Sequence, residues 1–216
     1  MLKLYLAQKK IENEIRKVFD NSKDIVLDIG SGKNPYYHEK VKGSIIKCDL
    51  NGKNPIDIQG SAESLPFKKE SFDKIISINA LYYASDPKKT FDEILRVLKK
   101  NGTLLIVSPF IYPIHDAPND KYRFSEFAYR VLLEKECREI MIKPIGGIFT
   151  LPLVFLRSII KGIPLLFPKK LRKMAMILLF IVLLPLYVLA QILTFLDVLD
   201  KTRRWPTYYL VIAHKK

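Results

Sequence analysis

The sequence predicts an α/β fold built on a mostly parallel sheet, and three observations predict it. Short apolar runs such as 24–29 (DIVLDI) and 72–79 (FDKIISIN) alternate with amphipathic stretches of helical period. A glycine turn, Gly30-Ser31-Gly32, follows the first run directly, and an acid, Asp49, closes the second. Helix-start signals, Asp86-Pro87 and Ser125, fall between the runs rather than inside them.

The elements follow in order. Leu2, Leu6, Ile11, Ile15, Val18 and Phe19 are helically spaced among charges, which predicts an N-terminal helix rather than a signal peptide. Residues 24–29 read as a buried parallel strand, whose glycine turn is expected to lead into a helix. Residues 44–49 (SIIKCD) form the second strand and 56–59 a short third, followed by Ser61-Ala62-Glu63 and the turn Leu65-Pro66-Phe67. After the fourth strand, 72–79, a helix starts at Asp86-Pro87, carries Phe91, Ile94, Leu95 and Leu98 on one face, and is expected to close at Asn101-Gly102. Residues 103–107 are the fifth strand, Ser125 caps a helix reaching about residue 136, and 138–143 are the sixth strand. In such sheets ligands bind beyond the carboxyl ends of the strands, so functional residues are expected just after them.

Composition narrows the function. The chain has 216 residues, a formal net charge of +14 and a pI near 9.6, which suggests an anionic partner. No aromatic RNP run or GXXG loop accompanies the basic residues, so nucleic acid is not the expected partner. Cys48 and Cys137 stand far apart in no metal-ligand spacing, so neither a metal site nor a disulfide framework is expected.

A glycine turn after a strand is a weak signal by itself. A nicotinamide dinucleotide would need a third glycine at position 35, where Pro35 stands, and no Tyr-x-x-x-Lys pair follows the fourth strand. The segments VLDIGSGKNPY, CDLN, GSAESLPFKKESFDKIIS and EILRVLKKNGTLLIVSP, covering residues 25–109, resemble the class I S-adenosylmethionine-dependent methyltransferases, and the type 11 family in particular. The chain departs from that family at Asn34, in the place of a third loop glycine. The resemblance implies a Rossmann-like three-layer sandwich with a seven-stranded, mostly parallel sheet. The last strand, 206–214 (PTYYLVIAH), would enter antiparallel.

The resemblance also implies a cofactor, S-adenosyl-L-methionine, and its contacts. Asp28 and Gly30, with Ser31 and Gly32 completing the loop, would hold the methionine part; Asp49 would take the ribose hydroxyls and Leu50 would pack on the adenine. Ser61 and Ala62 would meet the adenine edge, and Asn79 and Ala80 would line the methyl-donor pocket. The plainer alternative for Asp28 and Asp49 is that each carboxylate stabilises a turn.

Residues 108–124 (SPFIYPIHDAPNDKYRF) form a long polar-aromatic loop after the fifth strand, gathering His115, Asp116, Asp120, Tyr122 and Arg123. Methyl transfer to oxygen needs positioning and removal of one proton. His115, oriented by Asp116 or Asp120, is the candidate base, with Asp116 and Tyr122 beside it; alternatively His115 and Arg123 pin the loop. Tyr82 and Tyr83 could flank a substrate or simply pack.

From residue 148 onward the chain becomes aliphatic, and Met174 to Leu196 holds no charged residue, which is long enough to cross a bilayer. The expected organisation is a methyltransferase domain over 1–147, a hydrophobic helical insertion over 148–205, and the last strand over 206–216. If that strand rejoins the sheet, the insertion must cross the membrane twice or not at all. Arg157, Lys161 and three prolines favour a monotopic or re-entrant helical pair over a two-span hairpin, at the cytoplasmic face. Arg157, Lys161, Lys169, Lys170, Arg172, Lys173, Arg203 and Arg204 would then lie near an anionic membrane surface. The expected activity is methylation, to oxygen, of a lipid or lipid-linked acceptor such as a polyprenyl-linked glycan, a quinone precursor or a phospholipid-like head group. The alternatives are a soluble small-molecule methyltransferase that dimerises through the insertion, and a non-catalytic membrane scaffold of the same fold.

Overall fold

The computed structural model describes residues 4–33, 35–52, 55–114 and 116–216. They form two compact units. One comprises Lys10–Phe110, Ile114–Lys143 and Tyr208–Lys216; the other comprises the stretch up to Lys9, Ile111–Pro113 and Pro144–Thr207.

The first unit is built on a seven-stranded sheet. Its strands are β1 (Ile25–Ile29), β2 (Ser44–Asp49), β3 (Ile58–Gln59), β4 (Phe72–Ile78), β5 (Leu98–Pro109), β6 (Cys137–Ile145) and β7 (Tyr208–Lys215), in the spatial order β3-β2-β1-β4-β5-β7-β6. The pairs β1–β2, β1–β4, β2–β3 and β4–β5 are parallel, and β7 runs antiparallel to β5 from Thr103↔His214 to Pro109↔Tyr208. The predicted antiparallel last strand is thus in place.

Alternation along the strands divides the core into two layers. Leu27, Ile75, Leu104, Ile106 and Val211 pack with Phe91, Ile94 and Leu95 of α2 (Pro87–Val97) and with Tyr129 and Leu133 of α3 (Glu126–Leu133). On the opposite face Lys74 donates to the Val18 carbonyl at the end of α1 (Tyr5–Val18) and lies over the Phe19 ring. The predicted caps hold: the Asp86 side chain accepts from Lys89 N–H at 3.0 Å and the Ser125 hydroxyl from Ala128 N–H at 3.3 Å.

Two expectations are corrected. The glycine turn does not lead into an α-helix; among the described residues between β1 and β2 only a 3-10 turn, His38–Lys40, is helical. Pro35 offers no N–H, and the segment instead brings Tyr37 and His38 inward to the Asp28 carboxylate. Nor does Asn101-Gly102 close α2. The helix stops at Val97, and Leu98, expected on its face, is extended and pairs with Phe72 as the first residue of β5. The positive φ of Asn101, +60°, lies at a register shift within that strand. In addition, α3 ends at Leu133, a turn before the expected 136.

The second unit is helical. In it α4 (Leu151–Gly162) continues into a 3-10 turn, Ile163–Leu166, and packs against α5 (Arg172–Leu193), which ends in a 3-10 segment, Thr194–Leu199. Asp197 clasps the start of α4: its carboxylate accepts from Phe149 N–H at 3.0 Å and from the Thr150 hydroxyl, while Asp200 accepts from Ile148 N–H at 3.1 Å. Negative charge at a helix start is favourable, because the first-turn N–H groups lack intrahelical partners.

Candidate cofactor and active site

Parallel strands β1, β2, β3 and β4 end along one edge, and the residues that follow them, Gly30, Leu50, Gly60 and Asn79, therefore lie side by side. Backbone bonds lock their register: Gly30 N–H to the Cys48 carbonyl at 2.8 Å, Gly60 N–H to Asp49 at 3.0 Å, and Asn79 N–H to Val107 at 2.8 Å. The sheet order reverses between β1 and β4, so a crevice for a ligand is expected there.

Gly30 explains why the crevice needs a glycine. Its φ is +72°, and a Cβ on it would sit 2.2 Å from the Ala80 Cβ, so the loops after β1 and β4 touch at this point. Gly32, at φ +62°, faces open space. Its N–H donates to Asp49 Oδ2 at 2.9 Å, while Asn51 N–H donates to Oδ1 at 2.8 Å. One carboxylate thus ties the first loop to the second and keeps lone pairs for further donors. Leu50, 71% exposed, projects beside it.

Asp28 is fully buried. The Tyr37 hydroxyl lies 3.0 Å from both of its oxygens, and His38 Nε2 lies 2.5 Å from Oδ2. Burial pushes the Asp28 carboxyl above its usual range, although His38 and Tyr37 pull the other way. Burial likewise raises the Tyr37 phenol, reinforced by the Asp28 charge. Sequence reasoning missed both Tyr37 and His38. The available signal was an aromatic and an imidazole nine and ten residues after the acid of the motif.

Ser61 and Ala62 follow Gly60, with the Ser61 hydroxyl accepting from Glu63 N–H at 3.2 Å. Glu63, also missed, accepts from Ser85 N–H at 2.5 Å and Asp86 N–H at 3.3 Å, joining this loop to the start of α2. Asn79 adopts φ +56° at the exposed end of β4, a conformation asparagine tolerates better than most residues. Beside it Ala80 opens the 3-10 turn Leu81–Tyr83.

The long loop is fastened to that turn. Lys121 and Tyr122 N–H groups donate to the Tyr82 carbonyl at 3.2 and 3.1 Å, and the Tyr122 hydroxyl donates to the Ser85 carbonyl at 3.2 Å. Arg123 makes a two-point pair with Asp120, donates to the Tyr122 carbonyl, and lies over the Tyr82 ring. Arg123 thus pins the loop. Asp120, one of the carboxylates considered for orienting His115, is committed to Arg123; Asp116 is exposed and close to the Tyr83 hydroxyl. His115 lies outside the described residues. Among those residues no cluster of three or more His, Cys, Asp or Glu could hold a metal.

The family described as "Methyltransferase domain", type 11, matches residues 27–106. Residues 27–106 carry a methyltransferase domain. A 2-methyl-6-phytyl-1,4-hydroquinone methyltransferase of Oryza sativa is 35% identical to it over 95 residues, 44% of this chain and 26% of that protein. A ubiquinone/menaquinone biosynthesis C-methyltransferase of Pasteurella multocida is 37% identical over 112 residues, 52% of this chain and 40% of that one. The chain therefore spans less than half the length of these relatives. Among solved structures, a Haemonchus contortus phosphoethanolamine N-methyltransferase holding S-adenosylhomocysteine shares the fold, with a TM-score of 0.62 at 15% identity over 95% of this chain and 52% of that one.

S-adenosylmethionine is the cofactor of this domain class, and the residues present fit it. The Ser31 hydroxyl is buried without a hydrogen-bond partner among the described residues, Gly30 and Gly32 leave the loop backbone bare, and Asp49 stands ready to accept from hydroxyls. When bound, the cofactor supplies an electrophilic methyl group on a sulfonium. The protein's part is to hold Asn79, Ala80 and the 81–83 turn against the first glycine and to shut out water.

Proposed function

We propose that the chain is a membrane-surface methyltransferase that transfers a methyl group from S-adenosylmethionine to a lipid or lipid-linked acceptor, at the cytoplasmic face. One observation carries the reading: of the 22 residues of α5 only Ala190 is buried, while Leu178, Ile181, Val182, Leu186 and Ile192 are each more than half exposed. So continuous an apolar surface calls for an apolar covering. Arg172–Leu199 is also long and apolar enough to cross a membrane.

Topology favours a helix lying in the membrane surface over one that spans it. The chain leaves the sheet after β6 and rejoins it in β7, so any number of crossings must be even. The 12 residues of α4 rise about 18 Å, and its 3-10 continuation adds about 8 Å, against a hydrocarbon core of about 30 Å. Among the described residues only α5 is long enough, which leaves no second crossing there to bring the chain back.

The names of the quinone-pathway relatives support an amphipathic acceptor and favour transfer to carbon. The polar loop, with His115 as base beside Asp116 and Tyr122, favours transfer to oxygen. The product separates the two, since a methyl ether and a ring methyl differ in the mass of their fragments.

Calorimetric titration of the detergent-purified chain with S-adenosylhomocysteine, beside Asp49→Ala, tests the cofactor. Labelled methyl transfer into lipid extracts then tests the acceptor. Binding without any labelled lipid, and with label in a water-soluble acceptor, would overturn the lipid reading.

A further inference from the structure

Ser85, between β4 and α2, is met from two sides, and each of its polar groups is engaged by a different side chain. Its N–H donates to Glu63 Oε1 at 2.5 Å, its hydroxyl accepts from Lys121 Nζ at 2.6 Å, and its carbonyl accepts from the Tyr122 hydroxyl at 3.2 Å. Glu63 also takes the Asp86 N–H at 3.3 Å. One exposed serine thus joins the loop after β3, where Ser61 and Ala62 would meet the adenine edge, to the polar loop after β5.

The two ends of residues 61–67 are held differently. At the far end Leu65 N–H donates to Glu93 at 2.9 Å, and Arg96 donates to the carbonyls of Leu65 and Phe67 at 3.0 and 2.9 Å, which fixes that end to the body of α2. At the near end Ser61 and Glu63 share one turn: Glu63 N–H donates to the Ser61 hydroxyl at 3.2 Å, and Ser64 N–H to the Ser61 carbonyl at 3.0 Å. A ligand that settles Ser61 and Ala62 therefore settles the Glu63 carboxylate, and through it Ser85. On the other side of Ser85, Lys121 and Tyr122 also give their N–H groups to the Tyr82 carbonyl. Hydrogen bonds at so exposed a junction are individually weak, so the polar loop can dock and release without unfolding the sheet.

We propose that Glu63 is a positioning residue that couples the cofactor to the polar loop. S-adenosylmethionine, by fixing Ser61 and Ala62, holds Glu63 against Ser85 and so docks Lys121 and Tyr122. The coupling rests on the adenine lying beside Ser61 and Ala62, and not on the membrane reading. It is reciprocal: loosening the polar loop weakens the cofactor, although the loosened bond lies on the far side of Ser85 from Glu63.

The test is amide hydrogen exchange of the detergent-purified full chain, without ligand and at saturating S-adenosylhomocysteine, read by mass on peptides covering 61–64 and 119–124. The ligand should slow exchange in both segments, by roughly five- to tenfold at 119–124. Glu63→Ala should keep the slowing at 61–64 and lose most of it at 119–124. Glu63→Gln, whose amide oxygen still accepts both N–H groups, should retain it in both. Lys121→Met should weaken the ligand and add nothing further in Glu63→Ala, since the two act through one junction. A glutamate that only steadies the start of α2 would speed exchange there in both states and leave the ligand's effect at 119–124 intact, which would overturn the proposal. Additive losses in the double variant would do the same. Slowing at 61–64 alone in the wild type would overturn the coupling and leave the cofactor site standing. Bound ligand without slowing at 61–64 would overturn the adenine placement and the coupling with it, and folded protein that binds no ligand would overturn both.

Discussion

His38 Nε2 lies 2.5 Å from Oδ2 of the fully buried Asp28, and the Tyr37 hydroxyl lies within 3.0 Å of both oxygens of the same carboxylate. These contacts hold the loop after β1 from the side where a helix was expected. Taking a donor from a buried carboxylate leaves it undersolvated, which costs about 1–3 kcal/mol. Tyr37→Phe should lower the melting temperature accordingly, and His38→Ala should weaken S-adenosylhomocysteine as well. Calorimetry beside a melting curve checks both. Unchanged affinity in His38→Ala would mean that the pair serves stability alone.

The two loop glycines should differ in what they tolerate. Alanine at either adopts a positive φ, at about 1–2 kcal/mol. At Gly32 that is the whole cost, because the space is open. At Gly30 the new methyl would also meet Ala80 at 2.2 Å and force the β1 and β4 loops apart. Gly30→Ala should abolish cofactor binding, whereas Gly32→Ala should weaken it modestly. Titration of both variants decides, and equal effects would refute the contact.

Acid should weaken the domain through Asp73. Burial acts to raise this carboxyl, but the Lys99 ammonium at 2.7 Å and the Ile25 N–H at 2.9 Å outweigh it and hold it below the usual range. The folded state therefore binds this proton less readily than the unfolded chain. The stabilisation is complete above the ordinary carboxylate range and lost as pH falls through the depressed value, below about pH 4. Melting temperature against pH should fall less steeply there in Asp73→Asn, from a lower starting point at neutral pH.

Asp197 should be the most sensitive position of the helical unit. Asp197→Ala would strip an acceptor from Phe149 N–H and from the Thr150 hydroxyl, at about 1–3 kcal/mol, and Asp197→Asn should recover part of it. Limited proteolysis within 144–207 reads the opening directly.

Much of this architecture could be read in the residues because it is written in local chemistry. Asp86 and Ser125 cap where short polar side chains before apolar stripes should, and Ser44–Asp49 is a strand to the residue. The failures share a cause, tertiary partners overriding local signals. Asn101-Gly102 has the composition of a helix end, yet pairing of Leu98 with Phe72 ends the helix sooner. Gly30-Ser31-Gly32 announces a helix, yet the buried Asp28 draws Tyr37 and His38 inward instead. The tie between the loops after β1 and β2, Gly32 N–H to Asp49, falls on the glycine and acid that their spacing singled out. Glu63 was not singled out, because its partners, Ser85 and Asp86, stand more than twenty residues away.

The position of β7 also fixes a sequence of events in time. It lies between β5 and β6, yet it is synthesised after both, and after the whole of Pro144–Thr207. On the ribosome, β5 must wait with one edge open while the greasy helices emerge. Those helices therefore meet their surroundings before the enzyme can finish folding, and a chain interrupted ahead of Tyr208 is left with β5 paired to β4 alone and its other edge open.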